Sequence, residues 1–397
     1  MKYLMVLLNM NVPYSSPPKN LKDFLDLMNN PFKLPHEYMR RAIELAKRGN
    51  TAPNPMVGAV LVKADKTIAE GFHSHAGGPH AEVVALRKAG KKAKGADLYV
   101  NLEPCCHQGR TPPCTDAIIK SGVSKVYIGM KDPNKLVNGK GIRRLKAAGI
   151  KVSVGLWKEH CEKLNEGFVK VMKTGLPLVT MKTAISLDGK IATRMGNSQW
   201  ISGTESRNFV HELRNQNSAI LIGTNTILKD NPQLTCRLKK QKVKHPARII
   251  LDRGNKIPLK AKVFSNSKKQ RVIYVAGSKL SLQRKKTLVE KNIEIINGKT
   301  NKSGFDLKHL MKHLVKKDLT SVLIEGGGEI NNSALKAGIV DKIYIFISPI
   351  LIGGKQAPGL IGGLGVSKIV KALSLKNMKV TEMGEDLMVE AEPCSAE

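Results

Sequence analysis

The chain has 397 residues, of which 41% are hydrophobic and 25% charged. This length and composition are typical of two folded domains and argue against a disordered protein. A formal net charge of +34 would suit a nucleic-acid-binding protein, but the basic residues stand in small scattered groups and only 4% of residues are aromatic. Charge alone therefore leaves open both a basic RNA-binding protein and an enzyme with anionic small substrates. No apolar run approaches the roughly 20 residues of a membrane span.

The N-terminal residues, up to about Leu34, are expected to form a poorly ordered extension or to reflect a misassigned start. Their short apolar run hints at a signal peptide, but no clear cleavage site follows it and several prolines interrupt the chain. We predict a flexible extension over residues 1–34, a first domain over 35–175 and a second over 176–397. The boundary is placed at the Gly-Leu-Pro sequence that begins at Gly175.

Helical and strand-like segments alternate through the first domain, which predicts a layered α/β fold with a mainly parallel sheet. The predicted helices are Glu37–Arg48, Pro79–Lys88, Cys114–Ser121 and Gly141–Ala148, and the predicted strands are Val57–Val62, Leu98–Leu102, Lys125–Met130 and Lys151–Val154. A charged helix over Trp157–Lys173 leads to the domain boundary. A second α/β alternation begins with the strand Leu178–Ile185 and includes a strand at Ser321–Glu325, three glycines and a helix at Glu329–Lys336.

A histidine and two cysteines in the first domain have the residue types of a catalytic zinc site. His80 stands at a predicted helix start, Cys105 follows a predicted strand, and Cys114 starts the next helix. Three protein ligands leave the fourth position of zinc open for water, which zinc activates as a nucleophile near neutral pH. Because Cys106 adjoins Cys105, it is an alternative ligand. We predict one Zn²⁺ per chain.

Glu82, two residues after His80, is not needed as a ligand. Its predicted role is to take the proton from the attacking water and pass it to the departing amine. The sequence therefore indicates hydrolytic deamination. The second cysteine of zinc deaminases usually comes two residues after the first, whereas eight residues separate Cys105 from Cys114.

The long cysteine-to-cysteine loop carries a specific resemblance. The segments Thr51–Gly58, Gly71–Glu82 and Glu103–Cys114 closely resemble those of the bifunctional riboflavin-biosynthesis deaminase–reductases, and the likeness covers about Glu37 to Pro393. It implies a cytidine-deaminase-like three-layer α/β/α domain followed by a dihydrofolate-reductase-like α/β domain. It also implies deamination of 2,5-diamino-6-ribosylamino-4(3H)-pyrimidinone 5′-phosphate, followed by reduction of the ribosyl group of the 5-amino-6-(5-phosphoribosylamino)uracil product to ribityl with NADPH.

The same resemblance implies a set of pocket residues. In the deaminase these are Asn54, His73, His107, Arg110 and Thr111, the last two near the substrate phosphate, which an arginine fork suits on physical grounds. In the reductase the implied substrate residues are Ser198, Arg214, Leu234, Arg237 and Glu325. The implied NADP residues are Ala184, Trp200, Thr226, Asp230, Gly327, Gly328, Glu329, Ile330, Asn331, Asn332 and Ser333.

Two turns depart from the family pattern. In Asp132-Pro133-Asn134 the following Lys135 stands where a further proline is usual. In Asp252-Arg253-Gly254-Asn255 the expected serine is missing, which puts one cofactor contact in doubt. The glycine run Gly326–Gly328 suits a pyrophosphate at a helix start, although a plain tight turn has the same composition.

Rival hypotheses remain at this point: an RNA-acting zinc deaminase or basic RNA-binding protein, and a chain with one inactive half that serves as a scaffold. The long loop and the second domain argue against RNA. We expect a small-molecule enzyme of the cytoplasm, with clustered cysteines held reduced, that forms a homo-oligomer and has no specific nucleic-acid or membrane partner.

Overall fold

Two sheets organise the chain, one in each half. The computed structural model describes residues 33–109, 112–238, 243–301 and 304–394. It divides into two compact units: Met1–Asn50 with Met56–Leu164, and Thr51–Pro55 with Asn165–Glu397. Within the described ranges, no helix combines the length and apolarity that a membrane crossing requires.

The first unit contains a five-stranded sheet flanked by helices. Its helices are α1 (Lys33–Ala46), α2 (Ala81–Ala89), α3 (Cys114–Ser121), α4 (Lys140–Ala147) and α5 (Lys158–Leu164), and its strands are β1 (Gly58–Lys63), β2 (Lys66–Phe72), β3 (Asp97–Leu102), β4 (Lys125–Met130) and β5 (Lys151–Val154). The strand order is β2-β1-β3-β4-β5. The strands β3, β4 and β5 are parallel, while β1 runs antiparallel to both of its neighbours.

Two glycines allow helices of the first unit to pack tightly on its sheet. A Cβ atom at Gly58 would lie 2.0 Å from the Ala42 carbonyl oxygen of α1, and one at Gly71 would lie 2.2 Å from the Ala81 carbonyl oxygen of α2. Only glycine tolerates such approach of two backbones. The close packing of α2 fixes its N-terminus, which carries His80 and Glu82.

The second unit is built on a nine-stranded sheet. Its helices are α6 (Glu166–Thr174), α7 (Thr204–Gln216), α8 (Thr224–Asp230), α9 (Leu282–Glu290), α10 (Leu307–Val315) and α11 (Gly328–Lys336), and its strands are β6 (Leu178–Ser186), β7 (Ala219–Gly223), β8 (Ala247–Asp252), β9 (Val272–Ala276), β10 (Glu294–Asn297), β11 (Thr300–Asn301), β12 (Gly304–Phe305), β13 (Ser321–Ile324), β14 (Lys342–Ser348), β15 (Leu375–Met383) and β16 (Asp386–Pro393). The large sheet has the order β10-β9-β8-β7-β13-β6-β14-β16-β15, and β11 pairs only with β12.

The run from β10 to β14 in the large sheet is parallel, and β16 and β15 add an antiparallel edge. Central strands such as β7 (AILIG) and β9 (VIYVA) are buried at every residue. Continuous apolar strands are typical of parallel sheets covered on both faces. The carboxyl ends of β6, β7, β8 and β13 therefore meet at one edge, where α/β sheets bind ligands.

Most predicted elements are confirmed within a residue or two; Cys114–Ser121, Lys125–Met130 and Lys151–Val154 match the observed bounds. The mainly parallel first sheet is a partial error, because β2 was missed and β1 is antiparallel. The long helix predicted over Trp157–Lys173 is two helices, α5 and α6. The predicted extension over 1–34 lies almost wholly outside the described residues, except that α1 already begins at Lys33.

The two units divide at Leu164, one helix before the boundary predicted near Gly175. The reason is that α6 is tied to the second sheet. Lys170 Nζ donates to Asp341 Oδ1 at 2.6 Å, and Lys342 Nζ donates to Glu166 Oε2 at 2.5 Å.

Candidate functional site

The three predicted zinc ligands lie together in the first unit. His80 Nδ1 is 3.1 Å from Cys114 Sγ and 3.5 Å from Cys105 Sγ. One ligand atom from each residue lies within 4.8 Å of the others, and among the described residues this is the group of histidine, cysteine and acidic side chains that could hold a metal ion. Cys106 is not a member, so the geometry favours Cys105 over its neighbour.

Local structure brings these ligands to one point. His80 is the N-cap of α2, and Cys114 is the first residue of α3 after the extended Pro113. Two backbone N–H groups join the ends of the intervening loop: Thr115 N donates to the Cys105 carbonyl at 3.1 Å, and Cys114 N donates to the Cys105 side chain at Sγ, at 3.3 Å. The eight-residue loop therefore leaves its two cysteines adjacent.

The donor set fits zinc. One imidazole nitrogen and two sulfurs at these separations can surround one tetrahedral ion and leave a fourth position for water. Hydrogen bonds from Cys114 and His80 lower the pKa of Cys105 despite its burial, whereas the pKa of Cys114 is raised by its bond to Cys105 and by burial. The pKa of His80 is raised by its hydrogen bond with Cys105. The pair of thiols thus readily yields one thiolate.

Glu82 lies beside the ligands and is almost fully buried, with 3% of its surface exposed. Burial raises the pKa of its carboxyl group, and the carboxyl shares a hydrogen bond with the Cys114 thiol. A buried carboxyl group beside the ligand atoms is suited to accept a proton and return it during catalysis.

Sequence reasoning missed Glu103, whose carboxylate organises the wall next to Cys105. It is buried and accepts hydrogen bonds from the backbone N–H groups of Asp132 at 3.2 Å, Gly139 at 2.9 Å and Ile142 at 3.1 Å. Two of these donors belong to the N-terminus of α4, where a carboxylate is a favourable cap. The Glu-Pro-Cys order could have indicated this role, since Glu103 directly follows β3 and comes two residues before a ligand.

The predicted deaminase pocket residues are found in different settings. His73 is buried, and its Nδ1 is 3.1 Å from the Pro79 carbonyl oxygen, one residue before His80. His107 has a buried Nδ1 without a hydrogen-bond partner, as expected of a group that meets a ligand. Asn54 lies in the turn Thr51–Pro55, where its N–H donates to the Thr51 carbonyl. Arg110 and Thr111 lie outside the described residues.

A cavity of about 830 Å³ opens in the second unit, at the carboxyl edge of the large sheet. Its lining includes the following predicted NADP and substrate residues: Ala184, Trp200, Thr226, Asp230, Gly327, Gly328, Glu329, Ile330, Ser198, Arg214, Leu234, Arg237 and Glu325. A volume of this size accommodates a small-molecule cofactor. A Cβ atom at Gly327 would meet its nearest neighbours only at 3.7 Å and 3.9 Å, so a larger side chain there would project into this space.

The last three residues of the predicted cofactor run do not line the cavity. Asn331 is buried and donates to Thr183 Oγ1 and to the Leu360 carbonyl, each at 3.0 Å, while Ser333 Oγ donates to the Glu329 carbonyl of its own helix. Asn332 is also absent from the lining. Helix periodicity explains the difference, because successive residues of α11 point about 100° apart.

An ion pair and a lysine mark one wall of the cavity. Arg214 donates to both carboxylate oxygens of Glu325, at 2.6 and 2.7 Å. Burial would raise the pKa of Glu325, but the charge and hydrogen bonds of Arg214 outweigh it and lower that pKa. Lys182, which lies within the predicted strand Leu178–Ile185, also lines the cavity, and burial lowers its pKa against the opposing charge of Glu325.

Together, a deaminase-type metal cluster in one unit and a glycine-lined cavity in the other define a zinc-dependent deaminase joined to a reductase. Two family models match the chain: the cytidine and deoxycytidylate deaminase zinc-binding region over residues 33–130, and the RibD C-terminal domain over residues 177–389. The chain belongs to the RibD family, the bifunctional deaminase–reductases of riboflavin biosynthesis.

Individual relatives agree with the family assignment. The riboflavin biosynthesis protein RibD of Aquifex aeolicus is 44% identical over 89% of this chain and 96% of its own length. Solved structures of RibD from Acinetobacter baumannii (38% identical, TM-score 0.82) and of a deaminase/reductase from Thermotoga maritima (39% identical, TM-score 0.79) each cover 91% of this chain and 99% of their own.

These comparisons confirm the predicted family, the two-domain fold class, the bifunctional activity, and zinc and NADPH as cofactors. They give no support to the RNA-binding alternatives.

Proposed function

We propose that the cluster of His80, Cys105 and Cys114 holds the zinc ion and that Glu82 moves the protons of deamination. When bound, zinc makes a water molecule nucleophilic at neutral pH. The Glu82 carboxylate takes one proton from that water and delivers it to the amino nitrogen that leaves as ammonia. The observation that carries this proposal is the convergence of the three ligand atoms within 4.8 Å beside a buried glutamate.

We propose that the substrate is 2,5-diamino-6-ribosylamino-4(3H)-pyrimidinone 5′-phosphate. The Thermotoga maritima relative is described as a diaminohydroxyphosphoribosylaminopyrimidine deaminase and 5-amino-6-(5-phosphoribosylamino)uracil reductase. His107, with its unpartnered buried Nδ1, is proposed to contact the substrate together with His73 of the same unit. Arg110 and Thr111 are proposed to bind its phosphate, because a guanidinium fork and a hydroxyl match phosphate oxygens.

We propose that the second unit binds NADPH and the deaminated product in the 830 Å³ cavity. NADPH, when bound, supplies the hydride that converts the ribosyl group to ribityl. Gly327 leaves room for the pyrophosphate at the start of α11, whereas the missing side chain of Gly328 accommodates the backbone of Gly359 and Gly362. The size of the cavity and the glycines that line it at the start of α11 support this placement.

The cavity wall suggests how the chain assists reduction. Arg214 and Glu325 hold each other in a fixed orientation, which suits them to bind substrate hydroxyl groups. Lys182 Nζ, whose pKa is lowered by burial, is proposed to hold the proton that the reduced substrate requires.

Product analysis tests the two activities, and Glu82→Gln tests the deaminase assignment. The purified chain should convert the pyrimidine phosphate to the deaminated ribosyl product without NADPH and to the ribityl product with it, as identified by mass. Glu82→Gln should keep one zinc per chain but lose about 10²- to 10⁴-fold in deamination rate. Normal turnover in that variant would refute the role of Glu82.

We propose that the protein is a homo-oligomer of the cytoplasm, where its thiols stay reduced. An apolar surface stretch supports self-association: Leu364, Val366, Ile369, Val370, Met378 and Val380 are all exposed, and β15 is an edge strand of the large sheet. Exposed apolar edges are typical association surfaces. Light scattering should give a mass above that of one chain, and Ile369→Lys should reduce it; a monomeric parent protein would contradict the proposal.

A further inference from the structure

At the carboxyl end of β8 a tight turn presents one charged side chain to the cavity. The turn runs from Asp252 to Ile257, and Arg253 is the residue in it that lines the cavity. We propose that Arg253 binds the 2′-phosphate of NADPH and so makes the reductase prefer NADPH to NADH. This inference rests on the proposed location of the cofactor in the cavity.

The acidic residue of the turn is not available to a cofactor. Asp252 is fully buried. Its carboxylate accepts hydrogen bonds from Lys256 N at 2.9 Å, Ile257 N at 2.8 Å and Tyr274 Oη at 2.8 Å, and it pairs with Arg284 Nη2 at 3.6 Å. A carboxylate has about four acceptor positions, so these partners occupy most of them. NADH-selective sites commonly use a free acidic residue at a strand end to bind the ribose 2′-hydroxyl. Here the corresponding group points inward and closes the turn.

The backbone around Arg253 is held closely. Gly277 N donates to the Asp252 carbonyl, and a Cβ atom at Gly277 would lie only 2.6 Å from Arg253 Cα. The turn after β9 therefore packs against the turn after β8 and fixes the point from which the Arg253 side chain extends. Its guanidinium is exposed and donates to the Asn301 carbonyl at 3.1 Å.

The charge of Arg253 is uncompensated. None of the ion pairs found among the described residues includes Arg253, whereas Arg214, which also lines the cavity, is paired with Glu325. The lining of the same cavity also includes the exposed cations Lys229, Arg237 and Lys262. A site that must recognise a phosphate dianion needs such free positive charge, and a guanidinium also offers paired N–H donors. The neutral 2′-hydroxyl of NADH would gain little binding energy from this positive charge.

Nucleotide titration of the full-length protein tests the proposal without using turnover. The dissociation constants of NADPH and NADH are measured by cofactor fluorescence for the parent protein, Arg253→Ser and Arg253→Lys. Lys256→Ser is the matched control, since Lys256 is an exposed cation of the same turn that does not line the cavity. Competition by 2′,5′-ADP and 5′-AMP isolates the contribution of the 2′-phosphate.

Arg253→Ser should weaken NADPH and 2′,5′-ADP binding about 10- to 100-fold, as expected for loss of a charge-assisted pair, and leave NADH and 5′-AMP within about twofold. Arg253→Lys should retain part of the preference, because a point charge remains, and Lys256→Ser should change neither nucleotide. Equal weakening of NADPH and NADH in Arg253→Ser, or no change in either, would overturn the proposal. Thermal melting checks that each variant is folded, and Arg253→Lys keeps the test decisive if the serine variant is not.

A Gly327→Leu variant in the same titration separates the proposed role of Arg253 from the proposal that NADPH binds in this cavity. If Gly327→Leu weakens both nucleotides while Arg253→Ser affects neither, the cavity binds the cofactor but Arg253 does not select it. If Gly327→Leu also binds both normally, the cofactor lies elsewhere and the placement itself fails.

Discussion

The zinc-ligand cluster and the reductase cavity differ in how the chain supplies their functional groups. The cluster takes its ligands from two helix starts and one strand end, all between His80 and Cys114. The cavity is lined by residues drawn from Lys182 to Pro358, which come from several strand ends and from the loops and helices between them. A compact motif is therefore visible in the sequence, whereas a cavity of this kind exists only after the sheet has formed.

The two sites also differ in how they depend on single side chains. Removal of one of three metal ligands eliminates the chemistry of the cluster, because an incomplete site loses the ion. The hydride chemistry of the second site belongs to NADPH, so most cavity residues only bind and orient. We expect substitutions in the cluster to have much larger effects than substitutions in the cavity wall.

The largest effect is expected for Cys105→Ser. This variant should lose its zinc and at least about a thousandfold of deamination activity, since zinc activates the attacking water. Cys106→Ser is the matched control and should keep zinc and most activity, because Cys106 is outside the ligand group. Metal analysis and the deamination rate check both. Equal loss in the two variants would mean that the wrong cysteine has been assigned.

An intermediate effect is expected for Lys182→Gln in the cavity. Loss of the proposed proton donor should lower the rate of reduction about 10²-fold while the dissociation constant of NADPH changes little. Lys376→Gln, at an exposed position of β15, should alter neither quantity. If Lys182→Gln weakens NADPH binding and leaves the maximal rate unchanged, Lys182 is a binding residue rather than a proton donor.

The smallest effect is expected for Glu103→Gln, which acts through position rather than chemistry. The amide cannot accept from all three backbone donors, so the free energy of unfolding should fall by about 1–3 kcal/mol. Displacement of the adjacent wall should reduce deamination about tenfold, with zinc retained. Glu159→Gln, at an exposed glutamate of α5, should change neither the free energy of unfolding nor the deamination rate. Unchanged stability in Glu103→Gln would refute the positioning role.

Much of the fold could be predicted because helix starts and buried strands depend on residues that are close together in the sequence. The start of α3 was predicted correctly because Pro113 precedes Cys114, and the bounds of β4 were predicted correctly from its apolar residues. The strand β2 was missed because its sequence, KTIAEGF, mixes charged and small residues at the sheet edge. Its strand character depends on pairing with β1, which is a tertiary contact.

The site residues show the same difference between local sequence signals and features that depend on tertiary structure. His80, Glu82 and Cys114 were found because metal-ligand types at helix starts are specific. Lys182 carries no such signal, since a single lysine within an apolar strand looks like any other. Asn331 was expected at the cofactor from the family resemblance, whereas its side chain hydrogen-bonds to Thr183 and does not line the cavity. A contiguous run in sequence is not contiguous around a helix.

Measurement of both half-reactions in two variants tests the division of labour between the sites most directly. Cys114→Ser should abolish deamination but reduce supplied deaminated substrate with NADPH at nearly the parent rate. Gly327→Leu should lose NADPH affinity, because its side chain enters the cavity, and deaminate normally. Zinc content and thermal melting are checked first. If Cys114→Ser stops reduction in a chain whose second unit is folded, or if Gly327→Leu binds NADPH normally, the assignment of one reaction to each unit is contradicted.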